Sequence, residues 1–149
     1  ILFNNGMMWF DPEPGKPNSI AAGQRPLSNM CPTIVTDNGL PIFACGASGG
    51  RRIVPACFQL TSMAVDFSMD LDMIYSTPRL DVSGTDGAMA DARLEPEIIQ
   101  AIAARMPVQP TFQSIGTRPF ANPQAVMRRG NKNSAAAVIE MATSAAVAE

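Results

Sequence analysis

Histidine does not occur in these 149 residues. Its absence removes the side chain that most often moves protons near neutral pH, so Ser-His-Asp catalysis, Cys-His catalysis and histidine-ligated metal sites are excluded from anything the chain does alone. Cysteine is scarce and odd in number. Cys31, Cys45 and Cys57 show no C-x-x-C spacing, which argues against a disulfide framework or a zinc site and leaves them as small buried hydrophobes. Neither a metal nor a cofactor is expected. No stretch approaches the roughly 20 apolar residues of a membrane helix, so a soluble chain without a membrane partner is expected. Positive charge is also thin: 11 Lys and Arg stand against 13 Asp and Glu, for a net charge of −2. The pairs Arg51-Arg52 and Arg128-Arg129 lack interleaved aromatics and read as solvated faces, so no nucleic-acid partner is expected.

What the chain does have is an apolar beginning. The first ten residues, ILFNNGMMWF, hold two Met and the only Trp, and chain starts are normally polar and frayed. With no initiator Met and no signal-peptide pattern, this start reads as an extended segment at a cut, covered in the complete protein by another segment or chain. DPEPGKPNSIAAGQRP follows, too rich in Pro and Gly for helix or strand, and reads as a long loop. Residues 33–36 and 40–45, separated by Asp37-Asn38-Gly39, read as a β-hairpin whose turn needs positive φ angles.

The second strand runs into GASGG (46–50), after which Ile53, Cys57, Leu60, Ala64 and Phe67 recur at helical spacing. A short helix is expected from Ser68 as cap to before Pro78. Residues 79–93 show no period and read as irregular. Glu95-Pro96-Glu97 opens a helix with Ile98, Ile99, Ile102 and Met106 on one face, ended by Pro107. Short strands are expected at 108–113, 124–128 and 135–139.

Three readings of GASGG compete. It matches G-x-S-x-G in a strand-turn-helix context, which would make Ser48 the nucleophile of a serine hydrolase, but the chain supplies no histidine base. It is also what a tight helix-on-strand turn needs. Finally, glycines at a helix start direct backbone N–H groups outward with the positive helix end behind them, which would let Gly49 and Gly50 hold an oxyanion.

Six blocks then coincide in order: LFNNGMMWF (2–10), PGKPNSI (14–20), RPLSNMCPTIV (25–35), FACGASGGRRI (43–53), VDFSMDLDMI (65–74) and PRL (78–80). Together they resemble the small subunit of the γ-glutamyltranspeptidase family, strongly over residues 2–80 and weakly over 81–149. The resemblance implies an α+β fold, a four-layer αββα N-terminal-nucleophile hydrolase sandwich, of which residues 1–149 would be a single domain forming the C-terminal part of the small subunit. It implies acyl transfer or hydrolysis at γ-glutamyl amides by an N-terminal Thr whose own α-amino group is the base. That Thr and some forty residues after it would lie upstream, and a large subunit would be the partner. Gly49 and Gly50 match the family's oxyanion-hole pair. Ser28 and Asn29 match the Ser-Ser that holds the substrate α-carboxylate, with Asn still able to donate.

Trp9 is the main departure. The family pattern NNxMxDF has an acid there for the substrate α-ammonium, and here the string is NNGMMWF. Cephalosporin acylases also replace that acid and process glutaryl groups lacking an amine. Trp9 is therefore either a pocket wall that alters substrate choice or simple core filling. A non-catalytic relative of the same fold is the second reading. Family members are often periplasmic or secreted, while three unpaired cysteines suit a reducing cytoplasm, so both compartments stand.

Overall fold

In a computed structural model of the chain, the described residues are 3–84, 86–112, 119–138 and 144–148. They fall into two compact units, residues 1–30 and residues 31–149.

The first unit has little regular structure. Its opening is a 3₁₀ helix, Phe3–Trp9, where an extended segment was expected. Asn and Gly at its centre favour local turn bonds over a sheet partner, and Phe10 N–H continues them by donating to Met7 C=O at 3.2 Å. The long loop that follows is free of helix and strand, as its Pro and Gly content requires, and closes on itself through a bridge between Asp11 and Ser19.

The second unit is built on an antiparallel sheet in the order β1 (Thr33–Asp37), β2 (Leu40–Ser48), β6 (Asn122–Arg129), β7 (Lys132–Ala137). The expected hairpin is present, with Asn38 at φ 48° and Gly39 at φ 80° in the turn, the pair of left-handed residues that matches strand twist. β6 and β7 extend beyond their expected cores because Arg129 pairs with Lys132 across a two-residue Gly-Asn turn. Residue 139 of the expected last strand, and residue 113 of the strand expected at 108–113, lie outside the described residues.

One face of this sheet is covered. Phe43 and Cys45 of β2 and Ala125 and Met127 of β6 pack with Ile53, Cys57 and Leu60 of α1 (Ile53–Val65) and Leu71 and Ile74 of α2 (Leu71–Ser76). Two of the three cysteines are thus core residues, and Cys31 packs against the cluster; all three are free thiols. The opposite face carries a cross-strand row, Ile34–Ala44–Val126–Ala135, in which Ile34 is 71% exposed and Val126 54%.

Three local expectations are corrected. α1 ends at Val65, and Phe67 is exposed outside it, because Ser68 takes φ 52° and Met69 N–H closes back on Met63 C=O, a left-handed helix stop. α2 is capped by Asp70, whose carboxylate accepts from Met73 N–H at 2.9 Å, and not by Ser68. Residues 79–93 are not irregular: β3 (Leu80–Asp81) and β4 (Ala88–Asp91) join β5 (Val108–Thr111) in a second sheet, with β4 and β5 parallel and α3 (Pro96–Ala103) crossing between them. α3 begins with Pro and an acid in its first turn as expected, yet none of its residues is fully buried.

Candidate active site

In the first unit, Asn18 ties two of the sequence blocks together. Its Nδ2 donates to Trp9 C=O at 2.6 Å and its Oδ1 accepts from Leu27 N–H at 2.9 Å. The amide therefore brings the Trp9 backbone beside the segment that carries Ser28 and Asn29. Trp9 is half-buried, Ser28 exposed and Asn29 buried. Ser28 Oγ accepts from Met30 N–H at 3.1 Å, which leaves its hydroxyl proton as a donor. Asn18 was not among the residues that sequence reasoning picked out. Its only signal was a polar residue capable of both donating and accepting in an otherwise Pro- and Gly-rich loop.

In the second unit the strand-turn-helix context of GASGG is as expected. β2 ends at Ser48, which is exposed and sits in register with Asn122. The chain turns at Gly49 (φ 147°) and Gly50 (φ 63°), makes a 3₁₀ turn over Gly50–Arg52 and enters α1. Within the turn Gly49 C=O accepts from Arg52 N–H at 3.3 Å, and Gly50 C=O accepts from Ile53 N–H. Both glycine carbonyls are thus used as acceptors within the turn that leads into α1.

Three consecutive residues, Arg79, Leu80 and Asp81, are tied to this turn, to its neighbour Ala121 or to its helix. Arg79 donates from Nη2 to Ala121 C=O at 3.2 Å, and Ala121 abuts Gly49. Leu80 is held at both backbone polar groups by Gln59 of α1: Oε1 accepts from its N–H at 2.9 Å and Nε2 donates to its C=O at 2.7 Å. Asp81, 3% exposed, lies 3.6 Å from Arg52 Nε and accepts from Ser83 Oγ at 2.9 Å. Sequence reasoning assigned no function to Arg52, Gln59 or Asp81, because their partners are distant in the chain.

Elsewhere in this unit, a cavity of about 620 Å³ is lined by Tyr75, Arg79, Asp91, Arg93, Phe120 and neighbours, but not by the glycine turn. Burial pushes the Tyr75 phenol above its ordinary pKa against a smaller downward pull from Arg79. Burial alone would raise the Asp91 carboxyl, but hydrogen bonds and charge from Arg93, with the charge of Arg79, outweigh it and hold it below its ordinary value. Burial first, then the Cys45 and Cys31 thiols, push the Cys57 thiol up to about 12. Among the described residues no group of three or more Cys, Asp or Glu is arranged to hold a metal ion.

The acylase ACY 1 proenzyme of Pseudomonas sp. (strain V22) is 35% identical over 106 residues, 70% of this chain and 19% of its own length. The glutathione hydrolase proenzyme of Pseudomonas sp. (strain A14) is 34% identical over 110 residues, 74% of this chain and 18% of its own. The chain thus spans about a fifth of these relatives. Among solved structures, γ-glutamyltranspeptidase from Pseudomonas nitroreducens complexed with L-DON superposes with a TM-score of 0.76 at 23% identity, covering 97% of this chain and 80% of that one. A variant of the same enzyme with a tryptophan replaced by aspartate, described as highly active, superposes with a TM-score of 0.75. These structures share the mixed α+β fold. The family model described as gamma-glutamyltranspeptidase matches residues 1–148, and the chain belongs to that family.

Proposed function

We propose that the complete protein is an acyl hydrolase or transferase acting on γ-glutamyl or glutaryl amides, in which this chain supplies the oxyanion hole and the carboxylate-binding residues. The glycine turn carries this reading. Gly49 and Gly50 stand at the 3₁₀ turn that leads into α1, where backbone N–H groups turned toward a tetrahedral intermediate would stabilise its negative charge by about 3 kcal/mol per well-placed donor. No step assigned to this chain needs an imidazole. The nucleophile and base belong to an N-terminal Thr and its α-amino group, on a segment upstream of these residues. The relatives' names include the word proenzyme, in keeping with a chain cut to expose such a residue.

Ser28 and Asn29 would hold the substrate carboxylate as hydrogen-bond donors. Trp9 stands where the resemblance puts an acid for the α-ammonium, and an indole offers a cation only its ring face. Substrates without that amine, of the glutaryl class, therefore suit the site. In the Pseudomonas nitroreducens enzyme, replacing a tryptophan by aspartate gave a protein described as highly active, which supports the view that such an exchange tunes activity in this family.

The finer architecture belongs to the same reading. The apolar row Ile34–Ala44–Val126–Ala135 lies on the sheet face that α1 and α2 leave open, and a second sheet laid on it completes an αββα sandwich. That second layer comes from the upstream segment or large subunit, and residues 1–149 form the C-terminal part of the small subunit. The deciding experiment compares γ-glutamyl and glutaryl p-nitroanilides as substrates of the complete, processed protein. Glutaryl hydrolysis equal to or above γ-glutamyl hydrolysis is expected. Inactivity on both, with an intact N-terminal Thr, overturns the reading in favour of a non-catalytic relative.

A further inference from the structure

The buried carboxylate beside the glycine turn has a partner from the turn itself. Asp81 is 3% exposed, and its nearest cation is Arg52, whose side chain is 40% exposed and whose backbone N–H closes the turn on Gly49 C=O. Asp81 also accepts from Ser83 Oγ at 2.9 Å, and a carboxylate this buried loses more than a surface one when its charge partner leaves, so it holds Arg52 more firmly than a surface pair would. Asp81 is itself fixed. The preceding residue, Leu80, is clamped at N–H and C=O by Gln59, two turns into the helix that the glycine turn starts.

Glycine turn, α1, Gln59, Leu80, Asp81 and Arg52 therefore form one closed circuit of covalent and polar links. A turn with two adjacent glycines has many conformations to sample, and a closed circuit restricts them. We infer that the Arg52–Asp81 ion pair positions the backbone N–H groups of Gly49 and Gly50, making both side chains positioning residues for the reaction. This inference rests on the reading of that turn as an oxyanion hole.

The test uses the complete protein carrying Arg52→Gln, Asp81→Asn or Arg52→Lys. In Arg52→Gln and Asp81→Asn, amide hydrogen exchange over residues 47–53 should rise on the order of tenfold while β6 and β7 keep their protection. Arg52→Lys, which retains the charge, should keep most of it. With an active enzyme, kcat on the anilides should fall by about 10- to 100-fold in the first two variants and recover in part in the third, with KM little changed. Exchange that stays unchanged at 47–53, or rises evenly across the molecule, overturns the inference; so does a raised KM with kcat intact. If the wild-type protein turns over neither anilide, the functional reading fails, and exchange still decides whether the pair holds the turn.

Discussion

A β-carbon on Gly49 would stand 2.8 Å from the Cα of Ala121, at the threshold of β6. Nothing there can give way easily, since Ala121 is 1% exposed and its carbonyl is held by Arg79. Gly49→Ala should therefore lose about 2–4 kcal/mol, from the overlap together with a φ of 147° that only glycine adopts readily. Gly50→Ala, at φ 63°, should lose only about 1–2 kcal/mol. Urea denaturation of the two variants checks the order.

Ser48 is exposed at the end of β2. If the turn acts through its backbone, Ser48→Ala should keep activity within about tenfold of wild type, since no reacting bond is lost. Complete loss of turnover with an unchanged melting temperature would instead identify a serine nucleophile.

Trp9→Asp should shift preference toward γ-glutamyl over glutaryl substrates. A charged hydrogen bond to an α-ammonium is worth about 1.5–3 kcal/mol, or roughly 10- to 150-fold in the ratio of kcat/KM values. Measuring that ratio on the two anilides is sufficient, and an unchanged ratio assigns Trp9 to plain packing.

The thiols make a separate test of the core. Cys45 and Cys57 are buried, and burial with the neighbouring thiols pushes Cys57 up to about 12. Because the thiolate is the reacting form, iodoacetamide at pH 8 should leave Cys57 unmodified in the native state and label all three cysteines in denaturant. Cys57 stays neutral when folded but ionises near its ordinary value when unfolded. Its contribution to stability is complete below about pH 8.5 and is lost as pH rises toward 12.

Asp91 gives the opposite pH dependence. Arg93 donates to it through Nη2 at 2.6 Å and Nε at 3.0 Å and holds the carboxyl low. The stabilisation is present above the ordinary carboxylate value near 4 and is lost as pH falls through the depressed folded value. Asp91→Asn should destabilise by no more than about 2 kcal/mol at pH 7, because Arg93 is over half exposed. The difference from wild type should narrow on acidification below pH 4, as thermal melts across pH would show.

Features with local causes were legible in the sequence. Asn38-Gly39 specifies its hairpin through φ alone, and the glycine turn with the Ile53–Leu60 period specifies strand, turn and helix within some twenty residues. Features with distant causes were not. β3 is two residues long and owes its place to Gln59 and β4. Asp70 outcompetes Ser68 as a cap because Ser68 is already committed to a left-handed helix stop. For the candidate site, the glycine pair and the 28–29 segment stand out in the sequence as blocks of the family pattern. Asn18, Arg52 and Asp81 could not, since each acts through a partner nine or more residues away.

β2 pairs with β6, joining residues 43–48 to residues 122–127. Everything between, including the whole three-stranded sheet and its crossover helix, is an excursion leaving and re-entering the larger sheet at its middle. The local hairpins β1–β2 and β6–β7 can form early, but the chain must close a loop of more than seventy residues before they meet. High contact order of this kind makes folding slow and leaves two hairpin edges open in the interval. A destabilised excursion should thus show itself first as slower refolding and self-association of those edges, before any loss of the native structure at equilibrium.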